Sequence, residues 1–276
     1  MNRKILAIIF FSLFNMGNGI AETLPAVPQI VHFQSGGREL GGEIFKPTGS
    51  GPFPAVLYNH GSAGGMLNSQ ASKIIGPLFA SKGWIFFMPY RRGQGLSADA
   101  GPYILDEIKA ARRRGGLQEA SATMTRLLST EQLEDQLSAL AWLKLQSFVQ
   151  PTRIAVAGNS FGGVETVLGA AKVPYCAAVV ASGGAESWDE SPELQEVMKA
   201  AVRTASSPML FFQAANDFNL APNEVLSSER RQAGKRVEVK TYPAFGNSAA
   251  EGHSFAYRGS STWFPDVWDF IDKNCI

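Results

Sequence analysis

Cysteine, histidine and excess charge are all scarce in this chain of 276 residues, and each shortage excludes a class of function. There are two cysteines and three histidines, and no cluster with ligand spacing, so the sequence predicts no metal and no organic cofactor. A net charge of +1 gives no electrostatic footprint for nucleic acid. The basic run Arg112-Arg113-Arg114 is typical of a solvated surface helix.

The amino-terminal residues have the pattern of a secretory signal. Arg3 precedes a largely apolar stretch over 5–14, which is too short to cross a bilayer comfortably. Small residues up to Ala21 suit a signal peptidase, so we expect a signal peptide over 1–21 and a mature protein starting near Glu22. Because no cysteine follows the cut, we expect an exported, periplasmic or secreted protein without a stable membrane anchor.

Export would place the two cysteines in an oxidising compartment. Cys176 lies just before a predicted strand, and Cys275 lies just past the last predicted helix, so both fall near the side of the predicted sheet at which parallel strands begin. A disulfide is therefore geometrically allowed, and two free or buried thiols are the alternative.

The length and the 45% hydrophobic composition are enough for one large core, so we expect a single domain over 22–276. Short apolar runs alternate with helical stretches, which favours an α/β fold with a mostly parallel sheet of about eight strands and helices on both faces. The first two strands are expected to form an antiparallel hairpin. Strands are predicted at 30–35, 42–46, 55–59, 84–89, 153–157, 177–182, 209–213 and 237–242, and helices at 69–82, 130–145, 160–172, 222–233 and 263–273.

One segment does not fit this alternation. From Gly101 to Ser129 the chain is charged and helical in pattern, with an interruption at Gly115-Gly116. Since it follows a strand, we expect a helical insertion near the carboxyl ends of the strands, where α/β enzymes bind ligands. It is either a cap over a substrate cleft or an inert pair of surface helices.

A serine flanked by glycines is the most informative motif. Ser160 follows a buried strand and precedes a mostly apolar helix, with Gly158 and Gly162 on either side. This is the pattern of a nucleophile elbow, in which a strained turn exposes the hydroxyl and small neighbours keep helix and strand apart. The alternative is a serine in an ordinary turn between a strand and a helix.

A nucleophilic serine needs a base and a group that orients the base. His253 is the best candidate base, because it follows the last predicted strand. His32 lies in the first strand, and His60 is expected to shape a loop. Asp217, at the end of the strand 209–213, is the candidate acid in the chain order nucleophile, acid, base. The runner-up acids are Glu186, Asp189 and Glu224.

Backbone N–H groups are also needed to stabilise a developing oxyanion. The glycine-rich loop from Asn59 to Gly65 follows a central strand, so we assign one donor to the N–H of Ser62 and the other to the N–H of Phe161. A purely structural glycine turn is the alternative.

These motifs together resemble the α/β-hydrolase superfamily, in its dienelactone-hydrolase-like branch. The resemblance runs from about Ala55 to the carboxyl terminus and rests on His60-Gly61, the stretch from Pro89 to Ser97, the Ser160 elbow, Asp217 and Gly252 to Phe255. It implies an α/β-hydrolase fold and a serine hydrolase that cleaves a small-molecule carboxylic ester through an acyl-enzyme on Ser160. Dienelactone hydrolase itself has cysteine at this position, so its substrate is not carried over.

Two other functions remain open at this point. An exported serine peptidase would use the same three residues but would need contacts for an extended chain. A catalytically silent hydrolase fold could serve as a binding protein. The sequence leaves the oligomeric state undetermined.

Overall fold

A computed structural model describes residues 27–276, so the predicted signal peptide over 1–21 lies outside the described residues. An eight-stranded sheet forms the centre, in the order β1-β2-β4-β3-β5-β6-β7-β8. The strands are β1 (Gln29–Ser35), β2 (Arg38–Phe45), β3 (Phe53–Asn59), β4 (Ile85–Pro89), β5 (Val149–Asn159), β6 (Ala178–Ala181), β7 (Met209–Ala214) and β8 (Val237–Tyr242).

Strands β3 to β8 are parallel to one another, whereas β1 pairs antiparallel with β2, and β2 pairs antiparallel with β4. The mostly parallel sheet and the antiparallel hairpin at its edge are therefore confirmed. Because neighbouring parallel strands end at the same side, the segments that follow β3, β5, β6, β7 and β8 meet along one edge.

Helices cover both faces of the sheet. They are α1 (Leu67–Ser81), α2 (Ile104–Ser129), α3 (Glu131–Lys144), α4 (Phe161–Lys172), α5 (Pro192–Thr204), α6 (Ala221–Gln232), α7 (Ala249–His253), α8 (Phe255–Arg258) and α9 (Ser260–Asn274), with a 3-10 helix at Gly95–Ala100. Side chains alternate between the two faces along each strand. Val156 belongs to a core that includes residues of α2 to α6, whereas its neighbour Ala155 belongs to a core that includes residues of α1 and α9.

The sequence did not predict α5, α7 or α8. The buried residues of α5, such as Leu194 and Met198, do recur at helical spacing, but polar and glycine-rich sequence precedes the helix and hides where it begins. The insertion predicted from Gly101 to Ser129 contains α2, whose helical backbone breaks at Gly115 and Gly116. Gly116 has a φ of +70°, a conformation that favours glycine.

The two cysteines form a disulfide, with Cα atoms 4.9 Å apart. Cys176 lies just before β6 and Cys275 just after α9. The bond therefore fixes the last helix to the edge of the sheet where the parallel strands begin. Of the two possibilities that the sequence left open, the structure has the bonded one.

Removing this disulfide is expected to lower the free energy of unfolding by about 2–5 kcal/mol. The two cysteines are 99 residues apart. In the chain-entropy model, a disulfide that closes a loop of about 100 residues removes unfolded-state entropy equivalent to about 4.7 kcal/mol. The measurement is urea denaturation of the double variant Cys176→Ser, Cys275→Ser. Wild-type protein treated with dithiothreitol should unfold at the same midpoint as the variant, and an unchanged midpoint in both would contradict the prediction.

No helix within residues 27–276 is both long enough and apolar enough to span a bilayer.

Candidate active site

Ser160 occupies a strained turn between β5 and α4. Its backbone has a φ of +55° and a ψ of −122°, which is rare for a residue with a side chain and typical of a nucleophile elbow. A Cβ atom on Gly158 would lie 2.3 Å from the carbonyl oxygen of Gly162, and one on Gly162 would lie 1.9 Å from that of Asn59. Both glycines are thus required by close packing, as the sequence indicated.

Asp217 and His253 form a close pair at the same edge of the sheet. Asp217 follows β7, is 8% exposed, and accepts a hydrogen bond from His253 Nδ1 at 2.8 Å on its Oδ1. The backbone N–H of Phe218 donates to the same oxygen at 2.7 Å and fixes the carboxylate. Because Nδ1 is the donor, Nε2 carries the lone pair of the neutral imidazole.

This second nitrogen of His253 is buried and has no hydrogen-bond partner among residues 27–276. A buried polar atom without a partner is costly, so such an atom marks a site where another group is received. An imidazole nitrogen in this state is able to accept a proton from a hydroxyl.

The sheet sets the spacing between this pair and Ser160. One strand, β6, separates β5 from β7, and neighbouring strands lie about 4.8 Å apart. The ends of β5 and β7 are therefore about 10 Å apart, a distance that a carboxylate, an imidazole and a hydroxyl in line can span. The backbone N–H of Ser160 donates to Ala181 at the end of β6, which holds the elbow at this edge.

The loop after β3 lies directly beside the elbow, since a Cβ atom on Gly61 would lie 3.5 Å from that of Ser160. Side chains from outside the loop hold four of its successive carbonyl groups. Arg91 donates to the oxygens of His60 at 2.8 Å and Gly61 at 3.0 Å, Tyr103 donates to that of Ser62 at 2.6 Å, and Gln94 donates to that of Ala63 at 3.0 Å.

These bonds also orient the N–H of Ser62. In a trans peptide the N–H points opposite to the preceding carbonyl, and the carbonyl of Gly61 points at Arg91. The N–H of Ser62 is therefore turned away from Arg91. The other assigned donor is the N–H of Phe161, the first residue of α4. At this end of a helix the backbone N–H groups lack partners within the helix, and the helix dipole favours negative charge.

The buried guanidinium of Arg91 stabilises the loop after β3. Arg91 is 2% exposed, and burial lowers its pKa from the usual value. Its Nε donates to Gln132 at 3.0 Å. Burial is also the main cause that lowers the pKa of His60 well below its usual value, and Arg91 adds to the effect, so His60 is neutral. The two groups therefore act as parts of the loop's support.

Glu165, one turn into α4, is fully buried in the same region. Burial raises its pKa to about 8, although the nearby Arg91 acts in the opposite direction. Neither carboxyl oxygen has a hydrogen-bond partner among the described residues. At pH 7 the side chain is thus mostly a neutral acid.

A cavity of about 400 Å³ opens beside the two assigned N–H donors. It is lined by Ser62, Leu105, Ile108, Lys109, Arg112, Leu117, Ala120, Ser121, Met124, Phe161, Glu186, Ser187, Glu190 and Ser191. Eight of these lie in α2, on both sides of its break at Gly115 and Gly116. Of the two roles considered for the insertion, this position favours a wall of a cleft.

The other candidate residues lie elsewhere. His32 is on β1 and largely exposed, at the far edge of the sheet from β8. The runner-up acids Glu186, Asp189 and Glu224 are exposed, and of these Glu186 borders the cavity. Phe218 is 44% exposed, and its ring centroid lies 5.2 Å from that of His253.

Sequence reasoning missed the side chains that hold the loop, namely Arg91, Gln94 and Tyr103. The first two belong to the stretch from Pro89 to Ser97 that carried the family resemblance. Polar residues directly after a buried strand were a signal that this stretch has a structural task near the site. The backbone groups that they bind could not be identified without coordinates.

Within residues 27–276, no three or more histidine, cysteine, aspartate or glutamate side chains are grouped so that they could hold a metal ion.

The chain matches the family model described as "Dienelactone hydrolase family" over residues 40–268. Among solved structures it is similar to the Pyrococcus horikoshii acylaminoacyl peptidase, with 17% identity and a TM-score of 0.65, over 90% of this chain and 42% of that chain. It is also similar to a Pyrococcus furiosus esterase, with 14% identity and a TM-score of 0.65, over 90% of this chain and 93% of that chain.

A Mycobacterium tuberculosis puromycin-hydrolysing peptidase is similar over 89% of this chain and 40% of that chain, with 17% identity and a TM-score of 0.62. This chain therefore spans less than half the length of either peptidase. At these identities the likeness establishes the fold, so the predicted α/β-hydrolase fold is confirmed.

Proposed function

We propose that this chain, which belongs to the dienelactone hydrolase family, cleaves carboxylic esters through an acyl-enzyme formed on Ser160. Family membership supports a hydrolase, and the nucleophile, the bond cleaved and the small-molecule substrate are part of the proposal. The observation that carries it is the pair of His253 and Asp217, whose free imidazole nitrogen is buried at the sheet edge where Ser160 sits on its strained turn.

In the proposed reaction, the hydroxyl oxygen of Ser160 attacks the ester carbonyl carbon while Nε2 of His253 takes the hydroxyl proton. The carbonyl oxygen becomes an oxyanion, which the N–H groups of Ser62 and Phe161 stabilise. When the tetrahedral intermediate collapses, the bond to the alcohol oxygen breaks, and His253 returns the proton to the leaving alcohol. Water then repeats the sequence on the acyl-enzyme and releases the acid.

Asp217 has an electrostatic and a geometric task in this scheme. Its carboxylate keeps the proton of the neutral imidazole on Nδ1, so that Nε2 has a lone pair free to take the serine proton. When His253 takes the second proton, the carboxylate stabilises the resulting cation.

A peptidase of the same fold is the second candidate, because two of the similar solved structures are peptidases. The described site has a cavity beside the N–H donors with a wall formed by α2, and its volume of about 400 Å³ suits a compact substrate more than an extended chain. We therefore place the ester first.

The test is to label folded protein with a fluorophosphonate and to compare kcat/KM for p-nitrophenyl esters with that for aminoacyl p-nitroanilides. We expect a covalent adduct on Ser160, found by peptide mass spectrometry, and a higher kcat/KM for the esters. Heat-denatured protein is the control and should not be labelled. Labelling with a higher kcat/KM for the amides would favour the peptidase. Absence of labelling would favour the binding-protein function.

Export remains part of the proposal. The sequence pattern over 1–21 predicts it, and the disulfide between Cys176 and Cys275 supports it, since structural disulfides form and persist in oxidising compartments.

A further inference from the structure

The cavity beside α2 is bordered by Ser62 and Phe161, the residues of the two assigned N–H donors. A group inside it therefore lies next to the place where an oxyanion would be held. Its volume of about 400 Å³ lies within the range of about 300–1,000 Å³ that is common for small-molecule sites. Space of this kind next to the reacting carbonyl binds one of the two substituents of the ester.

The position of His253 decides which substituent it is. His253 must return its proton to the alcohol oxygen, so the alcohol lies on the imidazole side of the carbonyl. Ser62 and Phe161 line the cavity, whereas Ser160 and His253 both lie outside its lining residues. Phe218, which packs at 5.2 Å from the imidazole, is also outside them. The cavity therefore lies on the other side of the carbonyl, where the acyl chain extends.

The lining is apolar within and charged at its exposed positions. Ala120, Met124 and Phe161 are buried, and Leu105 and Ile108 are half-buried. The charged lining residues are all exposed, so they keep their charges in water. They are Lys109, Arg112, Glu186 and Glu190. With both signs present, the cavity offers burial to an apolar chain and no single-sign field for a charged one.

The break in α2 shapes the wall of this cavity. Leu105 and Ile108 precede Gly115 and Gly116, whereas Ala120 follows them, and all three contact the same cavity. A straight helix would present these residues along one line, since it rises 1.5 Å per residue. The bent helix instead gives the cavity two walls.

From these observations we propose that the cavity is an acyl-binding site for apolar acyl chains of medium length, such as butanoyl to octanoyl. The inference rests on the proposed ester hydrolysis at Ser160. It adds the substrate class, esters of medium-chain carboxylic acids, and makes α2 the element that selects them.

The test is a series of p-nitrophenyl esters with acyl chains from acetyl to decanoyl. Each buried methylene is expected to raise kcat/KM about fourfold, or on the order of 10²-fold over the four methylenes between acetyl and hexanoyl. In Ala120→Phe the new ring fills the cavity from the second part of α2. The ratio of kcat/KM for hexanoyl to that for acetyl should fall by about tenfold or more, because the chain loses its burial.

Ala122→Phe is the matched control, because Ala122 lies two residues along the same helix, is exposed, and is outside the lining residues. Its chain-length profile should equal that of the wild type. Leu105→Trp, which fills the cavity from the first part of α2, should repeat the loss seen in Ala120→Phe. Far-ultraviolet circular dichroism verifies that each variant is folded.

Three results would overturn the inference while leaving the proposed function intact. They are a flat chain-length profile in the wild type, an equal loss for acetyl and hexanoyl in Ala120→Phe, and the same change of profile in Ala122→Phe. If the wild type cleaves no ester of the series and Ser160 takes no fluorophosphonate label, the proposed function itself fails, and the acyl site fails with it.

Discussion

Ser160→Ala is expected to lower kcat for ester hydrolysis by on the order of 10⁴- to 10⁶-fold while leaving the fold intact. The loss is large because alanine has no atom that can form the acyl-enzyme, and without it the whole two-step route is closed. Residual turnover then depends on the N–H donors of Ser62 and Phe161 acting on direct attack by water. The measurement is steady-state hydrolysis of p-nitrophenyl esters, with far-ultraviolet circular dichroism to verify the fold.

Ser182→Ala is the matched control for this loss. Ser182 also follows a strand of the sheet, is 2% exposed, and has a φ of +54°, so it shares the strained backbone of Ser160 without its proposed task. We expect the control to keep ester hydrolysis within a few-fold of the wild type. Retention of more than about 1% of wild-type kcat by Ser160→Ala would contradict the assignment, given the size of loss expected for a nucleophile.

Asp217→Asn is expected to lower kcat by on the order of 10⁴-fold, with a smaller effect on KM. The amide can donate a hydrogen bond to Nδ1 of His253, which would move the imidazole proton to Nε2 and remove the lone pair that the serine needs. The side chains have the same shape, so the effect on stability should be small. The measurement is kcat and KM for one ester across a pH series.

The same change at Asp189, one of the runner-up acids, is the matched control. Asp189 is exposed and follows β6, the strand next to β7. We expect Asp189→Asn to leave kcat within about twofold, as is usual for surface substitutions away from a site. If Asp189→Asn showed the large loss and Asp217→Asn did not, the acid would have to be reassigned.

Chain order and strand periodicity were sufficient to predict the central sheet. All eight strands were recognised because buried parallel strands are short apolar runs, and the boundaries of β8 were correct to the residue. The ends of β5 were less well predicted. It begins at Val149 instead of Arg153, since a polar start and Pro151 hide the pairing with β3 at Phe53.

The candidate site was predictable to the extent that it follows strand ends. Ser160 and Asp217 come directly after their strands, and His253 after the last one, so topology alone brings them to one edge. The support of the loop 60–63 was not predictable. It depends on Arg91 and Tyr103 reaching carbonyl groups that lie about 30 and 41 residues away in the chain, and periodicity has no information on such contacts.

The groups proposed to react and the residues that border the cavity belong to different segments of the chain. The groups proposed to break the bond lie in the segments that follow β5, β7 and β8, whereas most residues that border the cavity belong to one helix inserted between β4 and β5. Substitutions, or altered lengths, within that helix can therefore diversify what the protein accepts without disturbing the sheet. Descendants of such a gene would be expected to vary most in this helix and least at the strand ends.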